Sequence, residues 1–432
     1  MRFFYLLIIT AFILSCSTSR HAGTKLNELF THDTLFNDHF TGFLLYDPVT
    51  KKNIYEFNSD HFFTPASNTK IFTLFAALKT LPDSIPSLEY AVRNDSIYIW
   101  GLGDPTLLNP EFENEDNSLR FIGSLDLPVI FCKDNFYSKH FGAGWAWDDY
   151  LYAYQAEKSS FPVFGNLMYF SYHQLRNEMV RLPEFCQVNF KPGASFQLER
   201  DPQSNTYFIE WPENNGDLIL RSPLHLTDSL LISVFSHYVK SGFTISQNCP
   251  ELTNKKIKYG VGLDTIYAAL MQHSNNFIAE QLLLSVSAAL TDTLDTQVGI
   301  NRFGKKYLNN IAHEMQWYDG SGLSRYNQFT PRAIVDVLEQ IYRMLPPEKI
   351  KDIFPAGGKS GTIRNWYANE NGPPFIYAKT GTLRNVHCLS GYLLTDSGKT
   401  LIFSFMHNNF KGSSSKVKKQ MNTVLQNIKA NQ

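Results

Sequence analysis

The sequence predicts a mixed α/β fold of the α+β kind, with strands and helices at both ends of the chain and a long, mostly β middle. Three observations carry this. Residues 41–57 read as a strand hairpin followed at once by a helix. Residues 375–428 read as strands that lead into a C-terminal helix. Between these ends, from Asp95 to about Cys249, β-like and loop-like runs dominate.

At the N-terminal end, Thr41-Gly42-Phe43-Leu44-Leu45-Tyr46 and Asn53-Ile54-Tyr55-Glu56-Phe57 flank the turn signal Asp47-Pro48, which makes a hairpin. After Pro65 the period changes. Ile71, Leu74, Phe75 and Leu78 follow the i, i+3, i+4, i+7 spacing of a helix. In the middle, Leu127-Pro128-Val129-Ile130-Phe131 and Thr206-Tyr207-Phe208-Ile209 read as strands. Near the C-terminus, Phe375-Ile376-Tyr377-Ala378, Leu389 to Leu394 and Leu401 to Met406 are strand-like. Val417, Met421, Val424, Leu425 and Ile428 mark a final helix that closes against the sheet.

The composition fits a folded, near-neutral protein. Lys and Arg number 39 against 40 Asp and Glu in 432 residues, and 14% of the residues are aromatic. At roughly 150 residues per domain, the length allows about three domains and a cleft between them. A net charge of −1 provides no field for nucleic acid. The lysine cluster Lys411, Lys416, Lys418 and Lys419 reads as a solvated helix face.

Met1-Arg2, the apolar run Phe3 to Leu14 and Ser15-Cys16 describe a secretory signal, too short for the roughly 20 residues a membrane span needs. Ile13-Leu14-Ser15-Cys16 resembles a bacterial lipoprotein signal, which implies acylation of Cys16. An ordinary signal peptide cut nearby is the alternative. Ser17 resembles the pattern that directs a lipoprotein to an outer membrane. The other cysteines, Cys132, Cys186, Cys249 and Cys388, are even in number, widely spaced and without a C-x-x-C pair. They leave one or two disulfides open in an oxidising compartment and disfavour a zinc ribbon. No metal and no cofactor is expected. His313-Glu314 begins like H-E-x-x-H, but Trp317 stands where the second histidine would be needed.

The chemistry begins on the first helix. Extending its apolar stripe backwards lands on Ser67 and Lys70, and a lysine on an apolar stripe beside a serine needs a reason. A serine hydroxyl requires a neighbouring base, and lysine serves only if burial or nearby charge lets its amine be neutral. Residues three apart on a helix share a face, and the helix start offers unpaired N–H groups for an oxyanion. Ser67-Asn68-Thr69-Lys70 is thus a candidate nucleophile and base.

S-x-x-K alone is noisy, since Ser413 to Lys416 and Ser415 to Lys418 repeat it. Its expected companions are S-x-N and K-T-G. Ser274-Asn275-Asn276 lies between two helical runs, and Lys379-Thr380-Gly381 ends an apolar strand pattern. The decoys Ser246-Gln247-Asn248 and Lys359-Ser360-Gly361 lack those contexts.

With these motifs in order, the chain resembles the D-alanyl-D-alanine carboxypeptidase/endopeptidase family of low-molecular-mass class C penicillin-binding proteins, from about residue 40 to 410. Further segments that carry the resemblance are Gly101-Leu102-Gly103-Asp104-Pro105-Thr106, Gly144-Trp145-Ala146-Trp147-Asp148-Asp149, Asp319-Gly320-Ser321-Gly322-Leu323-Ser324-Arg325 and Gly361-Thr362-Ile363-Arg364. Asn275 departs from the S-D-N form at its middle position. The resemblance implies a β-lactamase/transpeptidase-like catalytic domain, an antiparallel sheet flanked by helices, from residues 24–92 and 255–432. Residues 93–254 would form the inserted domain or domains.

It also implies attack of Ser67 on the carbonyl between two terminal D-alanines of a peptidoglycan stem peptide, with Lys70 as base. Ser274 would pass a proton to the departing amine. The N–H groups of Ser67 and Thr382 would hold the oxyanion, and Lys379 the terminal carboxylate. Asn276 and Thr380 would hydrogen-bond the peptide, with Gly381 beside them. Trp145, Asp148 and Arg325 would shape the pocket for the acyl-side chain; for Trp145 and Asp148, core and cap roles are the alternative. The implied partners are peptides ending in D-Ala-D-Ala, β-lactam inhibitors and a membrane reached through the lipid on Cys16, with no nucleic acid. D,D-endopeptidase activity, a serine β-lactamase or esterase, and a non-enzymatic wall-binding lipoprotein stand as the other readings.

Overall fold

The computed structural model describes residues 26–112, 117–213, 215–370 and 372–432. Residues 1–16, with the signal and Cys16, lie outside the described residues. The hairpin forms where the strand pattern places it: β1 (Phe40–Asp47) pairs antiparallel with β2 (Lys52–Phe57). Asp47 Oδ1 shapes the turn by accepting from the N–H groups of Val49 and Thr50. A short 3-10 turn, Ala66–Asn68, then runs into helix α1 (Thr69–Thr80). Its residues Thr69 to Ala77 are all buried, Lys70 among them.

β3 (Ser84–Arg93), β4 (Ser96–Gly101) and β5 (Val129–Cys132) start a second sheet. Six strands follow: β6 (Leu167–His173), β7 (Glu178–Leu182), β8 (Gln187–Gly193), β9 (Gln197–Arg200), β10 (Thr206–Pro212) and β11 (Leu218–Pro223). They form two three-stranded sheets, β11-β6-β7 and β8-β10-β9. Helix α2 (Asp228–Tyr238), β12 (Phe243–Ser246) and β13 (Lys256–Gly262) complete the second sheet, in the order β12-β5-β4-β3-β13. One apolar cluster, which includes Leu88, Phe131, Phe161, Phe170, Tyr207 and Phe235, joins α2 to all three sheets. The parallel pairing of β5 with β12 brings Cys132 to Cys249, and these two form a disulfide. Cys186 and Cys388 are buried free thiols.

Helices α3 (Leu263–Gln272) and α4 (Asn276–Thr291) follow, with Ser274 in the turn between them at a φ of 55°. α5 (Thr296–Tyr307) leads to the ribbon β14 (Met315–Gln316) and β15 (Gln328–Phe329), which brackets the loop holding Asp319 and Ser321. α6 (Pro331–Met344) and α7 (Pro347–Ile353) precede β16 (Ile376–Leu383), β17 (Val386–Leu394), β18 (Thr400–Asn408) and α8 (Ser414–Asn431).

The main sheet has the order β16-β17-β18-β1-β2, antiparallel throughout, so the two ends of the chain meet where β1 pairs with β18. α1, α3, α4 and α6 cover one face. α8 covers the other through Val417, Met421, Val424, Leu425 and Ile428, the stripe read in the sequence. Cover on both faces explains why β17 is buried along nearly its whole length. The lysine cluster departs from a purely solvated face at one position: Lys418 lies over the Trp366 ring, 4.8 Å from its centroid, and partial burial lowers its pKa.

Candidate active site

Three elements converge on Ser67. The 3-10 turn running into α1 supplies Ser67 and Lys70, the α3–α4 turn and the first residue of α4 supply Ser274 and Asn276, and β16 supplies Lys379. β16 comes this close because residue 381 is glycine: a Cβ there would lie 2.3 Å from the Pro65 carbonyl oxygen and 3.1 Å from the Ser67 nitrogen. Asn68 fastens the contact by donating from Nδ2 to the Lys379 carbonyl at 3.0 Å.

Lys70 is fully buried, whereas Ser67 is partly open to solvent. Lys70 Nζ lies 3.0 Å from Ser67 Oγ, 2.6 Å from Asn276 Oδ1 and 2.6 Å from the Ser321 carbonyl oxygen. The Asn276 amide has a fixed orientation, since its Nδ2 donates to the Tyr154 carbonyl at 2.9 Å. Two of the three neighbours of Nζ are therefore pure acceptors. A neutral amine spends its two N–H bonds on them and turns its lone pair to the Ser67 hydroxyl. Burial drives the Lys70 pKa down to about 7, against the opposing charges of Asp319 and Glu280. The neutral form is thus accessible near neutral pH.

On the other side of the cleft, Lys379 Nζ donates to Ser274 Oγ and to the Thr380 carbonyl, both at 2.7 Å. Burial and then the charge of Lys70 hold its pKa well below the ordinary lysine range. An anion arriving beside it would favour the charged form. Thr380 Oγ1 donates to Thr362 Oγ1 at 2.8 Å, and Thr382 is exposed at the rim. A cavity of about 180 Å³ beside Ser274 and Asn276 is lined by Tyr154, Tyr169, Glu111 and Arg221. Past His273 a groove of about 690 Å³ continues along Thr362, Arg364 and Trp366.

The D-Ala-D-Ala carboxypeptidase 3 (S13) peptidase family matches residues 24–184 and 259–431. The chain belongs to this family. It is accordingly an enzyme, a D-Ala-D-Ala carboxypeptidase of the serine peptidase type. Penicillin-sensitive carboxypeptidase A of Dictyostelium discoideum is 23% identical over 93% of this chain and 87% of its own length. The D-alanyl-D-alanine carboxypeptidase of Actinomadura sp. strain R39 is 23% identical over 90% and 83%. Among solved structures, penicillin-binding protein 4 (dacB) of Haemophilus influenzae superposes with a TM-score of 0.71 at 20% identity, covering 93% of this chain and 97% of that one. A predatory peptidoglycan endopeptidase of Bdellovibrio bacteriovorus shares the fold with a TM-score of 0.53 at 15% identity, covering 90% and 92%.

Behind this S13 site lie two carboxylates that the sequence reading did not single out as site residues. Asp319 is fully buried and accepts from five donors: Trp145 Nε1, Ser321 Oγ, Asn327 Nδ2 and the N–H groups of Gly322 and Ser324. This holds the loop so that the Ser321 carbonyl reaches Lys70. Gly322 is needed because a Cβ would come within 1.9 Å of the Ala66 oxygen. Glu280 accepts from the Ser321 N–H at 2.8 Å, and burial and then the Asp319 charge push its pKa up to about 7. Its signal in the sequence was the spacing of one helical turn, i+4, from Asn276.

The remaining sequence candidates sit on the rim. The Trp145 indole N–H is committed to Asp319, and Asp148 and Arg325 are exposed. Gly144 packs against Ser324 and Tyr326, which brings the Trp145 and Arg325 loops together. Neither decoy joins the site: Ser246 Oγ donates to the Asn248 carbonyl at the end of β12, and Lys359 is exposed in a turn.

Proposed function

We propose that the protein cleaves peptidoglycan stem peptides ending in D-Ala-D-Ala through an acyl-enzyme on Ser67, and that β-lactams acylate the same serine. The orientation of Lys70 carries this reading, because two fixed acceptors leave its lone pair facing Ser67. Neutral Lys70 takes the Ser67 proton as Oγ attacks the penultimate D-alanine carbonyl. The N–H groups of Ser67 and Thr382 receive the oxyanion. Ser274, hydrogen-bonded to Lys379 Nζ at 2.7 Å, passes its proton to the departing amine and takes in its place the one Lys70 collected, so D-alanine leaves and Lys70 is neutral again. Water then attacks the ester, Lys70 again acts as base, and the shortened peptide is released.

A C-terminal carboxylate beside Lys379 favours that lysine's charged form and gains charge-assisted hydrogen bonds from it and from Thr380. Asn276 and Gly381 line the peptide's path. Trp145 forms a wall, and exposed Asp148 and Arg325 offer charges of both signs to the acyl-side chain. The groove along Thr362 and Arg364 leaves room for a second peptide, which supports D,D-endopeptidase action on crosslinks. We place the enzyme outside the cytoplasm, held to a membrane, the outer one where the cell has two, by a lipid on Cys16.

The test is product analysis. Incubation with a pentapeptide ending in D-Ala-D-Ala and with a crosslinked peptide dimer should release D-alanine from the first and separate the second. Substitution Lys70→Met should lower both rates by about 10²–10⁴-fold, the range of a lost general base. Rapid turnover of penicillin without peptide cleavage would instead favour a β-lactamase.

A further inference from the structure

β16 is an edge strand of the main sheet, and Thr382 lies one residue from its end. Its ladder with β17 closes at Leu383 and Val386, next to the turn Arg384-Asn385. β17 lies on one side of β16, and on the other, among the described residues, only Ala356 bridges to it, at Tyr377, so the Thr382 peptide has no strand partner on its outer side. What restrains it is a buried side chain. His387 is paired directly across from Thr382, and its ring is fully buried. Nδ1 lies 3.0 Å from Thr382 Oγ1, and Nε2 lies 3.2 Å from the hydroxyl of Tyr367, itself buried against Met421 of α8.

Burial, with the charge of Lys418 and then the neighbouring His407, pushes the His387 pKa down to about 3, so the ring is neutral at working pH. A neutral imidazole has one N–H and one lone pair. Whichever nitrogen holds the proton, one hydroxyl donates and the other accepts, so both tautomers keep Thr382 Oγ1 bound.

We infer that His387, backed by Tyr367, is a positioning residue that locks Thr382 and with it the backbone N–H aimed at the oxyanion. This rests on the acyl-enzyme reading above. His387 touches neither substrate nor the reacting atoms, and it moves no proton. Its effect belongs to the transition state, where the oxyanion forms, and not to binding.

The test is steady-state hydrolysis of a D-Ala-D-Ala peptide, with benzylpenicillin acylation in parallel, on the purified full chain. For His387→Leu we expect kcat to fall by about tenfold, less than the 10²–10³ of a deleted oxyanion donor, with KM within about twofold. His387→Asn retains a polar group near Nδ1 and should recover most of kcat. Tyr367→Phe, a gentler change should His387→Leu not fold, should lower kcat with KM unchanged. If His387 acts through Thr382, then His387→Leu combined with Thr382→Val should be no worse than the more damaging single change. The inference is overturned if kcat of folded His387→Leu matches wild type, if KM changes instead of kcat, or if the two substitutions add. A wild type that neither hydrolyses peptide nor acylates overturns the acyl-enzyme reading itself, and this inference with it.

Discussion

In the proposed mechanism the chemistry turns on Lys70. Its depressed pKa has a sign that can be checked: the base works deprotonated, so acylation should rise with pH through about 7 and level off above it. Glu280 and Asp319 oppose the depression. Removing the Glu280 charge in Glu280→Gln should therefore move that rising limb to lower pH while keeping an acceptor for the Ser321 N–H. An unmoved limb, or one shifted upward, would contradict the electrostatic assignment. Ser67 and Lys70 were legible because a helical stripe extended backwards placed a lysine among apolar residues. Asp319 stands in the sequence only as part of a motif, since its donors lie as far apart as Trp145 and Asn327. No local pattern shows such convergence.

At the scale of elements, the site depends on the close approach of β16 to the start of α1. Gly381→Ala would force a Cβ against the Pro65 oxygen. Overpacking of this kind costs about 1–3 kcal/mol. The loss should appear both as a lower midpoint in urea and as slower acylation, because the same shift moves Thr382 from Ser67. A variant with unchanged stability and rate would show that the strand has slack. The main strands and the Ser274 turn were readable from apolar runs and from the break between helical stripes. The Lys70 contact with the Ser321 carbonyl was not, because backbone groups leave no trace in composition.

For the whole molecule, the second sheet and its apolar cluster hang on a long excursion of the chain, tied from β5 to just past β12 by Cys132–Cys249, a sequence separation of 117. Replacing both cysteines by alanine should destabilise the protein by about 2–5 kcal/mol, the usual range for a native disulfide. Acylation at 25 °C should persist, since neither cysteine approaches Ser67. Calorimetry with penicillin labelling before and after heating would check both parts. The cysteine count allowed one or two bridges, and only the parallel register of β5 with β12 selects this pair. The mostly β character of the middle was plain from residue types, whereas its division into three sheets depends on pairings between strands remote in sequence.

The central claim is that Ser67 is the nucleophile, and intact-mass measurement with peptide mapping after exposure to benzylpenicillin tests it most directly. The account predicts a lasting adduct of one penicillin on the wild type, mapped to the peptide carrying Ser67 and missing from Ser67→Ala. An adduct that persists in Ser67→Ala, or maps to another serine, would contradict it.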